Sequence, residues 1–468
     1  MHPRLAADRD GLPHLLETVQ QHAAGVLAGL CEREVVPAAR LPEPDPLPGH
    51  GDGLRAALEE FAARWEPALS ASAGPRYLGF VTGGVTPAAL AGDWMTAAWD
   101  QNSFSSLDGA GQHLERETIG WLRTLFGLSD RQHGTFVSGA TMSNTVGLAI
   151  AREWLGEQQG VSPAEHGVGA LGPVRVLSGA AHSSVPKALA MLGVGRQALV
   201  RVATRPGREA VDLTALEQAL ARGEADGPCV VVANAGTVNT VDFDDLRAIA
   251  ALRERYSFWL HVDAAFGAFA ALSPAHAHLV DGLELADSVC VDLHKWLNVP
   301  YDSAVQFTRR PDLQTRVFQN AAAYLGPLGD TPDTVHLTPE NSRRLRALAA
   351  WFTLRAYGRD GHREIVERCI GCARALGEAV DDTPGLRLLA PVRLNVVCFT
   401  LADDPTAERL AALAEQLEPV AFLTPTVLDG VPALRAAFSN WQTTETDTRR
   451  VAAALQAATH EMHTAYQW

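Results

Sequence analysis

Lysine is nearly missing from this sequence. Of 39 basic residues only Lys187 and Lys295 are lysines, and the other 37 are arginines. A guanidinium stays protonated and does not readily form an imine with an aldehyde, whereas an ε-amine does. A lysine that persists in such a composition is a candidate for that chemistry. Long apolar runs are missing as well. Stretches such as Gly267 to Leu272 fall far short of the roughly 18 residues that span a bilayer. The first ten residues lack the apolar core of a secretory signal, so a soluble cytoplasmic protein without a membrane partner is expected. There is no cationic excess. The formal net charge of −15 argues against nucleic acid or an anionic membrane as the main partner.

Clustered cysteine is also lacking. Of six cysteines only Cys369 and Cys372 are close; they fall in a helical pattern (362–380) with the lone His362 nearby. That is too few ligands for a metal, so the pair reads as structural and no metal site is expected. No Walker loop, G-x-S-x-G or H-E-x-x-H occurs. A literal G-x-G-x-x-G at Gly167, Gly169 and Gly172 precedes its strand instead of following it, the reverse of the dinucleotide order. His276 and His278 read as a solvated loop pair without a third ligand.

What is present is an ordinary globular mix, 47% apolar and 20% charged over 468 residues, enough for several structural units. Residues 1–75 read as a helical arm interrupted by the proline run of 41–49. From 76 to 340, short apolar runs (134–137, 174–177, 229–233, 258–262, 288–291) alternate with amphipathic segments (144–155, 184–192, 212–221, 244–256). Strand, helix, strand at that spacing implies parallel strands with crossover helices. Residues 341–468 read as a smaller α+β unit: a long helix, a strand at 394–401, a helix at 407–417, a strand at 433–438 and a final helix from 446.

Candidate chemistry gathers at strand ends, where open α/β sheets bind ligands. Ala286-Asp-Ser-Val-Cys-Val-Asp-Leu-His-Lys-Trp296 is a β-branched strand running into a turn that carries Lys295. Taken alone it would be a surface lysine. Phe258-Trp-Leu-His-Val-Asp-Ala-Ala-Phe-Gly267 closes a second apolar strand on Asp263, which in isolation would be a helix cap. Together they form the signature of a pyridoxal phosphate site: an imine-forming amine, and an acid able to keep a pyridine nitrogen protonated. Phe136-Val-Ser-Gly-Ala-Thr-Met-Ser-Asn144 supplies a helix N-terminus for a phosphate. His182 and Thr237 stand in two further strand-end turns, and Lys187 reads as a surface residue.

The order of these motifs resembles the pyridoxal-phosphate-dependent group II amino acid decarboxylases over residues 76–460. It includes Phe80-Val-Thr-Gly-Gly-Val-Thr-Pro87, Ala181-His-Ser-Ser184, Ala235-Gly-Thr237, His294-Lys-Trp296, Asn341-Ser-Arg-Arg344 and Ser439-Asn-Trp441. The resemblance implies an aspartate-aminotransferase-like α/β fold (fold type I): a mostly parallel central sheet flanked by helices, a small C-terminal α+β domain and an N-terminal arm. It implies a homodimer with shared active sites. Lys295 would carry the cofactor as an imine and Asp263 would pair with the pyridine nitrogen. His182 would stack on one ring face and Ala265 on the other. Ala140, Thr141, Asn144, Asp292 and His294 would lie at the phosphate or ring, and Thr237 near the ring hydroxyl. Leu293 replaces the proline common before the His-Lys pair. Tyr324, in a Gly/Pro-rich stretch, matches the tyrosine that returns a proton to Cα. Phe80 and Thr82, with Trp99, Gln101 and Ser103 from the partner chain, would line the substrate pocket. Phe80 and Trp99 suit an aromatic L-amino acid, while Gln101, Asn102, Ser103 and Ser105 leave a polar one open. The expected reaction is decarboxylation to an amine. Decarboxylation-dependent oxidation to an aldehyde, another pyridoxal lyase or transaminase-like reaction, and a non-catalytic binding protein are the alternatives.

Overall fold

The computed structural model describes residues 1–468 except 108, 224–226, 321–327, 330 and 466–468. Seven strands form the larger sheet: β1 (His133–Val137), β2 (Val176–Ser178), β3 (Leu199–Arg201), β4 (Cys229–Asn234), β5 (Phe258–Asp263), β6 (Ser288–Asp292) and β7 (Ala304–Thr308). Their order is β1-β7-β6-β5-β4-β2-β3. Strands β6, β5, β4, β2 and β3 run parallel, as the alternating pattern predicts, but β7 is antiparallel to both of its neighbours. The sequence reading missed β7 and β3. In β7 the polar Gln306 and Thr308 are fully buried, which disguises the apolar run, and β3 is a three-residue edge strand with exposed side chains.

The central strands are buried on both faces, which is why β4 reads as a continuous apolar run. Three adjacent strands each end on a polar residue: Asn234, Asp263 and Asp292. The register sets Asn234 beside Asp263. Their apolar bodies drive them into the core, while the polar last residues emerge together at one edge of the sheet. The helix Ala140–Gln158 follows β1 and lies against the sheet with twelve of its residues buried, so its N-terminus points at that edge. Gly147 makes this packing possible, because a Cβ there would stand 2.7 Å from the His261 ring.

A second, antiparallel sheet has the order β10-β11-β9-β8, from β8 (Leu386–Leu388), β9 (Val396–Leu401), β10 (Thr424–Leu428) and β11 (Val431–Ala437). The sequence reading missed β8 and β10; Pro425 is tolerated in β10 because that strand is an edge. The helix expected at 244–256 is only Leu246–Ala251 followed by a tight turn, capped by the Asp245 side chain on Ala248 N–H. Cys369 and Cys372 are buried in the helix Ala347–Asp381, and burial pushes the Cys369 thiol up to about 12. The literal glycine motif is followed by β2 and preceded by the short helix Pro163–His166, so it is not a strand-to-helix loop. No helix among the described residues is long and apolar enough to cross a membrane.

Candidate active site

A cavity opens at the carboxyl edge of the larger sheet, lined by Phe80, Val81, Ala140, Ala180, His182, Asn234, Gly236, Thr237, Val238, Asp263, Ala265, Phe266, Lys295 and Arg435. Lys295 sits on the single turn Leu293–Trp296 directly after β6. Gly83 presses against that turn so closely that a Cβ would lie 1.7 Å from the Lys295 carbonyl oxygen. Lys187 lies exposed on the helix Ser184–Met191. The rare lysine that reaches the cavity is therefore Lys295.

The Lys295 amine is 3.2 Å from Asp292, and the same carboxylate lies 3.3 Å from His294 Nε2. Its other oxygen accepts the Ala140 N–H at 3.1 Å. Burial by itself would lower the amine's pKa; the Asp292 and Asp263 carboxylates and Cys290 outweigh it and hold the ammonium form above its usual value. For Asp292, burial pulls upward, but Lys295 and His294 win and hold the carboxylate below its ordinary range. Ser303 N–H donates to His294 Nδ1, so Nε2 carries the proton it offers to Asp292.

Asp263 is buried, and its hydrogen bonds come from neutral donors, Asn144 Nδ2 at 2.8 Å and Ala265 N–H at 3.2 Å. Among the described residues no basic side chain stands within 4.0 Å of it. Asn144 is part of a directed chain. Its amide NH₂ donates to Asp263 and to Ser184 Oγ at 2.9 Å, so its oxygen must accept from His261 Nε2 at 2.9 Å. His261 Nδ1 then accepts from Ser288 Oγ at 2.7 Å, and Ser288 accepts from Trp259 Nε1 at 2.8 Å. Ser184 passes its own proton to His182 Nδ1 at 2.8 Å, which leaves His182 with Nε2–H. Burial holds His182 below its ordinary pKa, against the pull of Asp263.

Seven residues expected at the site therefore line one cavity: Phe80, Ala140, His182, Thr237, Asp263, Ala265 and Lys295. Others stand elsewhere. Asn144, expected at the cofactor, lies fully buried behind Asp263. Asp292 and His294 lie beneath Lys295 and Ala140, and Thr141 follows in the first turn of the helix. Thr82 is buried, donating to Gly79 O at 3.3 Å and lying 3.3 Å from the Tyr301 hydroxyl. Trp99 and Gln101 do not reach the cavity of their own chain; they border a separate apolar hollow with Met95, Leu348 and Phe352. Ser103 is buried and donates to Glu115, so it opens to neither. Tyr324 lies outside the described residues. His276, read as solvated, is buried: it accepts from Arg374 at 2.8 Å through Nε2 and meets Ser273 through Nδ1. Its partner Arg374 lies far along the chain, so the loop sequence gave no sign of it.

Sequence reasoning missed Arg435. It projects from β11 into the cavity, 5% exposed, with one nitrogen donating to Val238 O at 2.5 Å and its Nε left without a partner. Phe80 and Val81 escaped notice as strained positions; both hold positive φ, 57° and 66°, on the cavity wall.

An amine on one strand-end turn, with a buried carboxylate on the next strand that has no ion-pair partner among the described residues, has the arrangement of a fold-type-I pyridoxal enzyme. The residues fit that cofactor, because a protonated pyridine nitrogen would supply the close cationic partner that Asp263 does not have among the described residues. Residues 37–402 match the family model described as the pyridoxal-dependent decarboxylase conserved domain, and the chain belongs to that family of amino acid decarboxylases. Among its relatives, the L-2,4-diaminobutyrate decarboxylase of Rhizobium meliloti is 31% identical over 90% of this chain and 85% of its own. That of Acinetobacter baumannii is 31% identical over 66% of this chain and 62% of its own. The aromatic-L-amino-acid decarboxylase of Bacillus atrophaeus is 27% identical over 84% and 82%. Among solved structures, Oryza sativa TDC with PLP and tryptamine shares the fold, with a TM-score of 0.89 at 22% identity over 97% of this chain and 98% of its own.

Proposed function

We propose that this chain removes the carboxylate of an aromatic L-amino acid as CO₂ and releases the amine, working as a homodimer. The observation that carries the reading is one cavity holding the Lys295 amine, the Asp263 carboxylate and the free Arg435 donors. Bound pyridoxal phosphate supplies the electron sink for the bond that breaks. Lys295 holds the cofactor covalently. Asp263 keeps the proton on the pyridine nitrogen, and the chain from Trp259 through His261 and Asn144 holds Asp263 in place. His182 and Ala265, which both line the cavity, would cover the two faces of the ring. Thr141 and the N-terminal turn of its helix would hold the phosphate, and Ala140 N–H and His294 would join them by turning from Asp292, to which both donate here. Tyr324 delivers the proton to Cα. Arg435 takes a substrate carboxylate, since a buried guanidinium with spare donors suits a charge-assisted pair. Replacement of Arg435 by Met is expected to raise KM about 10- to 100-fold while leaving the absorbance of the bound cofactor in place. An unchanged KM would remove Arg435 from the substrate.

Support for an aromatic side chain comes from the polar residues near Trp99. Asn102 accepts from Arg343 N–H, Ser103 donates to Glu115 and Ser105 donates to Asp333. The two serines are buried and engaged within their own chain and the Asn102 oxygen is taken, while Trp99 is 66% exposed and free to face the partner. The helices Pro3–Asp10, Leu12–Gly29 and Leu54–Arg64 bury no residue, while Leu5, Leu12, Leu16, Phe61, Trp65, Trp94 and Met95 lie exposed. A second copy of the chain covers such a surface. Trp99→Asp is expected to weaken the dimer by at least about 2 kcal/mol, read as a shift toward monomer by light scattering on dilution. A dimer that survives dilution as the wild type does would contradict this interface.

The second reading is a diaminobutyrate substrate, favoured by the relative that matches 90% of the chain. Titrating the cofactor-loaded protein with aromatic, diamino and acidic L-amino acids, with CO₂, amine and aldehyde assayed together, separates the cases. Amine from the aromatic set alone supports the proposal. Amine from diaminobutyrate replaces the substrate, and aldehyde replaces the reaction.

A further inference from the structure

The mechanism leaves one cluster beside the cavity unused. Thr237 lies in the turn 236–242, whose backbone is held tightly: Thr237 N–H and Gly236 N–H both donate to Asp242 O, at 2.9 and 3.1 Å. Val241, buried in this turn, holds φ at +49°, a conformation that β-branched residues avoid and that persists only when the surroundings impose it. The segment Arg208 to Ala210 imposes it. Arg208 grips the Asp242 carboxylate with two nitrogens at 2.5 and 2.7 Å, and the N–H groups of Glu209 and Ala210 reach the same carboxylate at 3.0 and 3.2 Å.

Glu209 does something more specific. One of its carboxylate oxygens accepts from Thr237 Oγ1 at 2.6 Å, from Thr240 Oγ1 at 2.7 Å and from Thr240 N–H at 3.1 Å. A threonine hydroxyl has one proton to give. With Glu209 taking it and Asp242 N–H donating to the same oxygen at 2.9 Å, Thr237 has only a lone pair left to present.

We infer that Glu209 is a positioning residue that fixes the Thr237 hydroxyl as an acceptor toward the cavity, and so favours the protonated form of the cofactor's ring hydroxyl. The inference rests on the pyridoxal phosphate reading and on Thr237 standing beside that hydroxyl. Without Glu209, Thr237 is free to turn its proton toward the ring oxygen and stabilise the ionised form instead.

The test is a double-mutant cycle read by the absorbance of the cofactor-loaded protein without substrate. Glu209→Met is expected to shift the ratio of the two bands toward the longer-wavelength, ionised form by about three- to tenfold, the range one hydrogen bond supports. Glu209→Gln, which retains an acceptor oxygen, should stay close to wild type. In a Thr237→Val background, Glu209→Met should leave the ratio where Thr237→Val alone puts it. Glu209→Asp, with the charge kept but its reach shortened, is the second variant should the Met substitution not fold, and it must show the same dependence on Thr237. An unmoved ratio, or an equal shift in both backgrounds, overturns the inference. A wild-type protein that binds no pyridoxal phosphate overturns the reading beneath it, and the inference with it.

Discussion

Replacing Lys295 by Arg is expected to abolish turnover, to about a thousandth of wild type or less, and to remove the visible absorbance of covalently bound cofactor. Arginine is the informative substitution because it keeps a cation opposite Asp292, so the buried carboxylate stays paired and the fold is not put at risk. What it removes is an amine able to lose its proton and attack an aldehyde. The Asp292 carboxylate makes the point sharper. It holds the Lys295 ammonium form above its usual range, so the site depends on a group that can still give up a proton on demand. Lys187→Arg, on an exposed helix, should leave both turnover and absorbance unchanged. A Lys295→Arg protein that still turns over would show that the cation alone matters, and would end the pyridoxal mechanism.

The second large effect is on stability in acid. His362 is buried, and loss of hydration pulls its pKa down from 6.5 to about 4. His261 is likewise pulled down by burial, against the pull of Asp263, and its directed hydrogen bonds require the neutral ring. Between pH 6.5 and 4 the unfolded chain protonates these rings and the folded one does not. The unfolded state therefore gains stability as pH falls, by about 1.4 kcal/mol per pH unit for each histidine. Asp244 works in the opposite sense: burial raises its pKa from 3.8 to about 6, so its contribution is lost as pH rises through that window. For these three groups together the slope is about one histidine's worth between pH 4 and 6. Isolating one group removes the overlap. His362→Gln should lose the His362 contribution to the slope, so its unfolding free energy relative to wild type should move by about 3 kcal/mol between pH 4 and 7. Urea titrations across that range measure it, and parallel pH profiles for the two proteins would show that His362 does not titrate in this way.

Why some of the site could be read from the chain and some could not follows from how each residue is marked. Asp263 and Asp292 end apolar strands, so the sequence signals both the strand and its polar terminus. Lys295 stands out because lysine is rare. Arg435 lines the same cavity, yet it is hidden among 37 arginines, and its strand belongs to the other sheet. Asn144 is marked by the loop-to-helix motif, but a motif cannot tell a residue that faces a ligand from one buried a turn deeper. Glu209 and Thr237 meet only because two loops 28 residues apart fold over one another. The parallel strands were legible as apolar runs. Strand β7 was not, because its buried Gln306 and Thr308 look like surface residues when neighbours in space are unknown.

The cavity wall draws on Phe80, on the strand ends of the larger sheet and on Arg435 of the smaller one. Contacts between segments so far apart along the chain carry a large loop-closure cost and form late. Cofactor capture should therefore be among the last events of folding, available only once both sheets have docked. Because a ligand that binds only the finished state stabilises it by an amount that grows with the logarithm of its concentration, pyridoxal phosphate should slow unfolding without accelerating the early collapse.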